Sequence, residues 1–171
     1  DIQLTDDEFK KLVEVAAASK LICLADMIKF AALTAARYSE ITGLLRQNVD
    51  FSKKTATFYD TKNMEDRTIP LHEGAIEILK RYPFGEKFFV IKSRESFRHH
   101  WEKVRAKAGL KDFRFHDLRS FAANRMLLSG MSEIEVAAVG GWKTLAVLHR
   151  RYARIKARQL IGKINNVVNL K

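Results

Sequence analysis

Cysteine is almost absent from the sequence, and the one thiol, Cys23, stands among apolar neighbours. A single cysteine excludes a disulfide within the chain and a metal site built from several cysteines. A thiol in such surroundings is typical of a small hydrophobe in a core. A chain without disulfides suits a reducing compartment, so we expect a buried, structural Cys23 and a cytoplasmic protein.

Long apolar runs are missing too. No stretch reaches the roughly 18 apolar residues of a membrane-spanning helix. Residues 1–4 lack the basic and apolar regions of a signal peptide. We therefore expect neither a membrane-spanning helix nor a signal peptide.

Acidic residues are few beside basic ones, 20 against 31, and the formal net charge is +11. A domain needs no such excess to fold, so the imbalance indicates a partner of opposite charge. Nucleic acid is the leading partner. An anionic membrane surface is the rival reading of the charge alone.

Helical periodicity dominates the chain. Thr5 with Glu8, and Ser132 with Glu135, have the spacing of capping boxes and predict two helix starts. Gly130 is typical of a helix end. Helices are predicted over residues 5–16, 21–36, 40–45, 73–81, 93–108, 117–129, 132–139 and 157–164, with another that follows Thr144 and carries Tyr152.

A different pattern interrupts the helices early in the chain. Residues 55–59 are rich in β-formers, residues 61–66 are polar and turn-like, and residues 67–71 resemble a strand ended by Pro70. Residues 88–90 are predicted as a short extended piece. The fold class expected is mainly α with a small antiparallel β-sheet (α+β), as one domain over residues 1–171 with a tail over residues 157–171.

Two clusters of the first half of the chain can carry chemistry. Arg37 precedes Glu40 by three residues, so the carboxylate can hold the guanidinium as a bidentate phosphate clamp. A surface salt bridge between helix neighbours is the alternative. Lys62, in the turn between the predicted strands, can reach across a groove and donate a proton, or it is simply a turn lysine.

Two more clusters follow in the second half. His116 and Arg119 are three residues apart, which suits proton handling beside a fixed cation, or a helix start with Asp117 at the positive end of its dipole. After Gly140-Gly141, Trp142 can donate its single N–H or pack in the core. Tyr152, in a run of arginines, is a nucleophile or an aromatic in cation–π contact.

The order of these clusters resembles the catalytic domain of tyrosine recombinases, the phage-integrase family. The resemblance extends over nearly the whole chain. It implies that Arg37 and Arg119 clamp the phosphate and that Glu40 supports them. The other implied site residues are Lys62 as the hairpin lysine, His116, Trp142 at a position where many members have a second histidine, and Tyr152 as the nucleophile.

The activity implied by the resemblance is site-specific DNA strand exchange through a 3′-phosphotyrosyl intermediate, with no cofactor, metal or ATP. The sequence shows neither a P-loop nor a two-metal carboxylate cluster, which agrees with that chemistry. Type IB topoisomerase activity and a non-catalytic DNA-binding regulator are the alternatives. The family also has an N-terminal core-binding domain, so we expect this chain to be a fragment of a longer recombinase. Tail segments of the family dock on a neighbouring protomer, which we expect for the apolar residues 160, 161 and 164, with packing on the chain's own domain as the alternative.

Two details depart from the family pattern. Glycine is usual where Ala35 or Ala36 stands, and the step from Trp142 to Tyr152 is ten residues where nine is more frequent. Further basic side chains are predicted to bind DNA, and those between residues 103 and 114 are expected to track its backbone, with a solvated helix face as the alternative. These DNA-binding candidates are Lys103, Arg105, Lys107, Lys111, Arg114, Lys143, Arg150 and Arg151.

Overall fold

A computed structural model describes residues 4–59, 66–146 and 148–150 of the chain. Within these residues the fold is mainly helical, with one small sheet, as the sequence predicts. The helices are α1 (Asp6–Ala17), α2 (Leu24–Thr34), α3 (Tyr38–Gly43), α4 (Glu73–Lys80), α5 (Arg94–Lys107), α6 (Asp117–Leu128) and α7 (Glu133–Gly140). Residues 146, 148, 149 and 150 are also helical.

The sheet has three antiparallel strands in the order β1 (Val49–Asp50), β2 (Thr55–Phe58) and β3 (Arg67–Pro70). Thr55 pairs with Pro70 and Phe58 pairs with Arg67, so the predicted hairpin is confirmed and β3 ends at its proline. Residues 88–90 are not a strand, because the only backbone pairing described near them is a bridge from Leu45 to Lys87. Phe88 and Phe89 are buried core residues instead.

Helix α2 runs through the middle of the main core. Leu24, Met27, Ile28 and Phe30 are fully buried along it. A helix that is apolar around most of its circumference is buried on most sides, and α2 packs against α1, α4 and α6. A second, smaller core lies between α6 and α7 and includes Leu148. The two cores meet along α6, which is where the functional candidates gather.

Capping explains most helix boundaries. Thr5 and Ser132 form the predicted capping boxes of α1 and α7, and Ser93 caps α5. The predicted bounds of two helices are wrong. Helix α2 begins at Leu24 rather than residue 21, and α3 begins after Arg37 rather than after Ser39, because Glu40 accepts the backbone N–H of Arg37.

The turn between α2 and α3 has a left-handed residue. Ala35 has φ 53°, a conformation that L-residues adopt at a cost. The Thr34 hydroxyl supports the turn, since it donates to the carbonyl of Phe30 at 2.7 Å and accepts the N–H of Ala36 at 3.3 Å. This turn sends the chain directly into Arg37, so its geometry decides where that guanidinium starts.

Substituting glycine at each of the two alanines of this turn distinguishes the cost of backbone strain from the cost of lost packing. Ala35→Gly and Ala36→Gly each remove one buried methyl group and loosen the unfolded chain, but only the first relieves a positive φ. We expect Ala35→Gly to be more stable than Ala36→Gly by about 1 kcal/mol in urea unfolding. Equal losses in the two variants would contradict this account of the turn.

Candidate active site

Glu40 is the centre of the site, a carboxylate whose side chain is only 7% exposed. It accepts the backbone N–H of Arg37 at 2.6 Å and Arg37 Nη1 at 2.8 Å. Arg67 Nη1 and Nη2 donate to its two oxygens at 2.5 and 2.8 Å. The carboxylate is buried and shared by α3 and β3, so Arg37 and Glu40 are not a surface salt bridge.

Arg119 approaches the same carboxylate from α6, with its side chain 4% exposed and Nη1 4.0 Å from Glu40 Oε2. Its Nη1 donates to the carbonyl of Ala35, and its Nη2 donates to the carbonyl of Gly140 at 2.8 Å. Burial first, and then repulsion from Arg37, lower the pKa of Arg119 to about 10. The guanidinium is still charged at neutral pH, with mainly neutral carbonyls as its hydrogen-bond acceptors.

The turn after α7 contacts both predicted clamping arginines. The carbonyl of Gly141 accepts Arg37 Nη2 at 3.1 Å, and the Trp142 ring lies 4.6 Å from Arg119 Cζ. A Cβ on Gly140 would lie 1.8 Å from the Trp142 ring, so only glycine permits this packing. Trp142 is half-buried and also packs on the α6–α7 core, so it combines the predicted core role with a cation–π contact.

His116 stands at the N-terminus of α6, three residues before Arg119, and is exposed. Partial desolvation lowers the pKa of its imidazole, and the charge of Arg119 lowers it further. The ring is therefore neutral at pH 7 and able to accept a proton. Asp117 begins α6 and accepts the backbone N–H of Arg114 at 2.8 Å, so the helix-start reading of this motif holds beside the site reading.

The predicted DNA-binding residues on and just after α5 differ in exposure and in their hydrogen bonds. Lys103 and Lys107 are exposed on α5, and Lys111 is exposed just after it. Arg105 is half-buried and donates to the carbonyl of Phe113 at 3.3 Å. The three lysines are available to a partner, whereas Arg105 also holds the connection to α6.

The remaining members of that set lie nearer the arginine cluster in sequence. The side chain of Arg114 is 70% exposed and pairs with Asp117 at 2.7 Å, so part of its charge is already balanced. Lys143 and Arg150 are exposed. Arg151 lies outside the described residues.

Lys62 and Tyr152 also lie outside the described residues, so their predicted roles remain predictions. The helix that leads toward Tyr152 is described as far as residue 150. Leu148 is fully buried between α6 and α7, and His149 Nδ1 lies 3.2 Å from Glu133 Oε1. These contacts hold the chain as far as His149, three residues before Tyr152.

Arg67 is the site residue that the sequence did not reveal. It lies in a predicted strand, and Glu40 is 27 positions away, too far for a short motif to connect the two residues. The one available signal was its place in sequence just after the predicted turn that includes Lys62. Only the antiparallel pairing of β2 and β3 brings it to the carboxylate.

The assembled cluster suits an anion. Three guanidinium groups, from Arg37, Arg67 and Arg119, share one carboxylate, which leaves an excess of positive charge around Glu40. The Arg37 side chain is 36% exposed, which opens the cluster to a ligand. Phosphate oxygens match guanidinium donors in geometry and charge. Within the described residues, no group of three or more His, Cys, Asp or Glu side chains is placed to hold a metal ion.

The pH dependence of folding provides a test of the buried carboxylate. Burial alone would raise the pKa of Glu40, but hydrogen bonds from Arg67 and Arg37 lower it below 4.5. A lowered folded pKa means that the stabilisation is complete above the unfolded value and is lost as pH falls through the folded one. We expect urea unfolding of the native chain and of Glu40→Gln to differ by a constant amount from pH 7 to about 4.5 and to converge only below it. Convergence already near pH 6 would contradict a depressed pKa.

Comparisons with known proteins bear directly on this arrangement. The sequence profile of the phage integrase family matches residues 3–159. The chain is 30% identical over 169 residues to the shufflon-specific DNA recombinase of Escherichia coli, which covers 96% of this chain and 43% of that protein. It is 28% identical over 157 residues to the integrase of Salmonella phage P22, with 80% and 40% covered. The chain thus spans less than half the length of these relatives.

Solved structures share the fold. The catalytic domain of bacteriophage HP1 integrase has a TM-score of 0.73 at 22% identity, with 89% of this chain and 86% of that one covered. The Tn1549 transposon integrase in complex with transposon right end DNA has a TM-score of 0.76 at 15% identity, with 94% and 66% covered. In the part of the chain that the structure describes, no helix is long and apolar enough to cross a membrane. With its profile matched over almost its entire length, the chain belongs to the phage integrase family.

Proposed function

We propose that this chain is the catalytic domain of a site-specific DNA recombinase that cuts and rejoins strands through a 3′-phosphotyrosyl intermediate on Tyr152. The observation that carries the proposal is the arginine cluster on Glu40, which joins the start of α3 and the start of α6 at the turn that leads toward Tyr152. Membership of the phage integrase family supports the same reaction.

The arginines neutralise the negative charge of the phosphodiester, which is the first requirement of the reaction. A phosphodiester is negatively charged and repels an anionic nucleophile, so its non-bridging oxygens must be neutralised before attack. Arg37 and Arg119 supply that neutralisation without a metal ion. Glu40 holds Arg37 from its backbone N–H and from Nη1, so little motion is needed when the phosphate arrives.

The second requirement is proton transfer from the attacking tyrosine and to the leaving oxygen. The Tyr152 oxygen attacks phosphorus and loses its proton, which a neutral His116 accepts or helps to orient. The bond from phosphorus to the 5′ oxygen breaks, and Lys62 protonates the leaving oxygen. The tyrosyl phosphodiester keeps the energy of the broken bond, so a 5′-hydroxyl can attack it in reverse and rejoin the strand without ATP.

Trp142 has a double role in this proposal. Its ring lies against Arg119 and limits how the guanidinium can turn. Its indole N–H, a donor only, adds a hydrogen bond to a phosphate oxygen. Both roles depend on the Gly140-Gly141 turn, which brings the ring to the arginine.

Binding of double-stranded DNA follows from the same surface. The exposed lysines of the α5 region and the basic residues around Tyr152 neutralise backbone phosphates, so affinity falls steeply with salt. The Tn1549 integrase, similar in fold, was solved with DNA bound.

The tail over residues 157–171 docks on a neighbouring protomer when several copies assemble on DNA, and the protein acts at the nucleoid. In the complete recombinase a core-binding domain closes the clamp around DNA.

A two-site plasmid assay tests the function. With purified protein, EDTA and no ATP, we expect recombinant products from plasmids that carry paired recognition sites. Relaxation of a supercoiled plasmid that does not depend on those sites would instead favour a type IB topoisomerase. DNA binding with no strand cleavage at all would favour the non-catalytic regulator.

A further inference from the structure

Arg67 donates to protein acceptors from all three of its guanidinium nitrogens. Nη1 and Nη2 donate to Glu40, and Nε donates to the carbonyl of Val139 at 3.0 Å. Its side chain is 14% exposed, against 36% for Arg37. Arg67 is thus more enclosed than Arg37, and two of its three nitrogens are bonded to the carboxylate that holds Arg37.

The position of Arg67 joins three elements. It begins β3, its Nε reaches α7 at Val139, and its Nη atoms reach α3 at Glu40. The Phe58 ring of β2 lies 5.0 Å from its Cζ, which holds the plane of the group. A Cβ on Gly141 would stand 2.9 Å from Arg67 Nη1, so the glycine of the turn leaves room for this guanidinium.

Glu40 connects Arg67, at the start of β3, to Arg37, the predicted phosphate-binding arginine. Arg67 fixes both oxygens of Glu40, and the same oxygens hold the backbone and side chain of Arg37. The orientation of Arg37 is therefore set partly by a residue of β3. Movement of that strand would alter the phosphate clamp through Glu40.

We propose that Arg67 is a positioning residue for strand cleavage: through Glu40 it aims Arg37 at the phosphate and ties the β2–β3 hairpin to the clamp. The role rests on the proposed recombinase function. It requires a planar fork with a third donor at Nε. A lysine keeps the charge but offers one point of attachment, so it satisfies neither the two-point contact with Glu40 nor the contact with Val139.

Arg46 is the matched control for a purely structural arginine. Its Nε donates to the carbonyl of Gly85 at 3.0 Å, its Nη2 donates to those of Tyr82 and Phe84 at 2.5 and 3.0 Å, and its Cζ lies 4.5 Å from the Phe88 ring. It thus has the same kind of setting as Arg67 without any contact to Glu40. Replacement by lysine perturbs both arginines alike as structural groups.

The experiment compares Arg67→Lys, Arg46→Lys and the native protein on a nicked suicide substrate, at a temperature where circular dichroism shows all three folded. We expect Arg67→Lys to form covalent adduct ~100-fold more slowly, with DNA affinity within about threefold of native, because misplacing a clamping group costs rate more than binding. We expect Arg46→Lys to cleave at the native rate. If Arg67→Lys does not fold, Phe58→Leu keeps an apolar side chain in the core but removes the ring beside the guanidinium, and it should slow cleavage less strongly in the same direction.

A double variant separates action through Glu40 from an independent effect. Arg67→Lys with Glu40→Gln should cleave no more slowly than the slower single variant, because both changes break the same link. Multiplied losses, or native cleavage by Arg67→Lys, would overturn the positioning role while leaving the recombinase function intact. A native protein that forms no adduct would refute the recombinase function, and the positioning role with it.

Discussion

A Tyr152→Phe variant is expected to form no covalent complex with DNA while it binds the same DNA almost as tightly as the native protein. Phenylalanine keeps the ring but has no oxygen to attack phosphorus, so the covalent intermediate cannot form. The hydroxyl contributes little to an interface dominated by phosphate contacts of basic side chains. The measurement is a suicide-substrate trap resolved on a denaturing gel, with affinity measured by a mobility shift.

Tyr59→Phe is the matched control for this prediction. Tyr59 is 55% exposed at the end of β2 and has no predicted role, so its loss of a hydroxyl should leave adduct formation unchanged. Covalent trapping of the Tyr152→Phe protein would show that another residue is the nucleophile. Loss of DNA binding in Tyr152→Phe would show that the variant reports on the interface rather than on the chemistry.

A Glu40→Ala variant is expected to lose stability and cleavage together. The substitution leaves Arg37, Arg67 and Arg119 close to one another without their shared carboxylate. Breaking a buried pair by removing one partner costs about 3 kcal/mol, since the remaining charges stay buried and unbalanced. We expect the midpoint of thermal unfolding to fall by about 6–12 °C for a chain of this size.

The control for Glu40→Ala is the exposed pair of Lys54 and Glu73. Both side chains are more than half exposed, so solvent already screens their attraction. Glu73→Ala should unfold within experimental error of the native chain and cleave DNA at the native rate. Equal loss of stability in the two variants would contradict the special position of Glu40. Recovery of Glu40→Ala stability in high phosphate would agree with an anion site left between arginines.

Local chemistry explains why much of the fold was predictable. The capping boxes at Thr5 and Ser132 depend on residues three positions apart, and the hairpin depends on β-formers around a polar turn. Such signals are complete within a few residues. The start of α3 was missed although its contact is also local, because arginine is not a typical N-cap residue and Ser39 is; Glu40 nevertheless accepts the backbone N–H of Arg37.

The same distinction applies to the candidate site. Arg37, Glu40, His116 and Arg119 lie in short motifs and could be selected from the sequence. Arg67 could not, because its partner lies in another element and its own neighbours form an ordinary strand. Equally, no sequence pattern indicates that Arg119 donates to backbone carbonyls and stacks on an indole, since these contacts depend on how α6 and α7 pack.

Ala35 shows how a departure from a family pattern is absorbed. Glycine is usual in this part of the motif because the turn requires a left-handed residue, and Ala35 adopts that conformation at φ 53°. The buried Thr34 hydroxyl, which bonds the backbone on both sides of the turn, compensates for part of the strain. The side chain of Ala35 is fully buried, which favours a small residue, and its carbonyl accepts a hydrogen bond from Arg119.

Identification of the modified residue tests the central claim most directly. A suicide substrate traps the protein–DNA adduct, the DNA is digested to a short 3′-phosphate remnant, and mass spectrometry of the proteolysed protein locates it. The account predicts one modified peptide, with the remnant on Tyr152. A remnant on Tyr38, Tyr59 or Tyr82, or a trap that yields no adduct with an intact native protein, would contradict it.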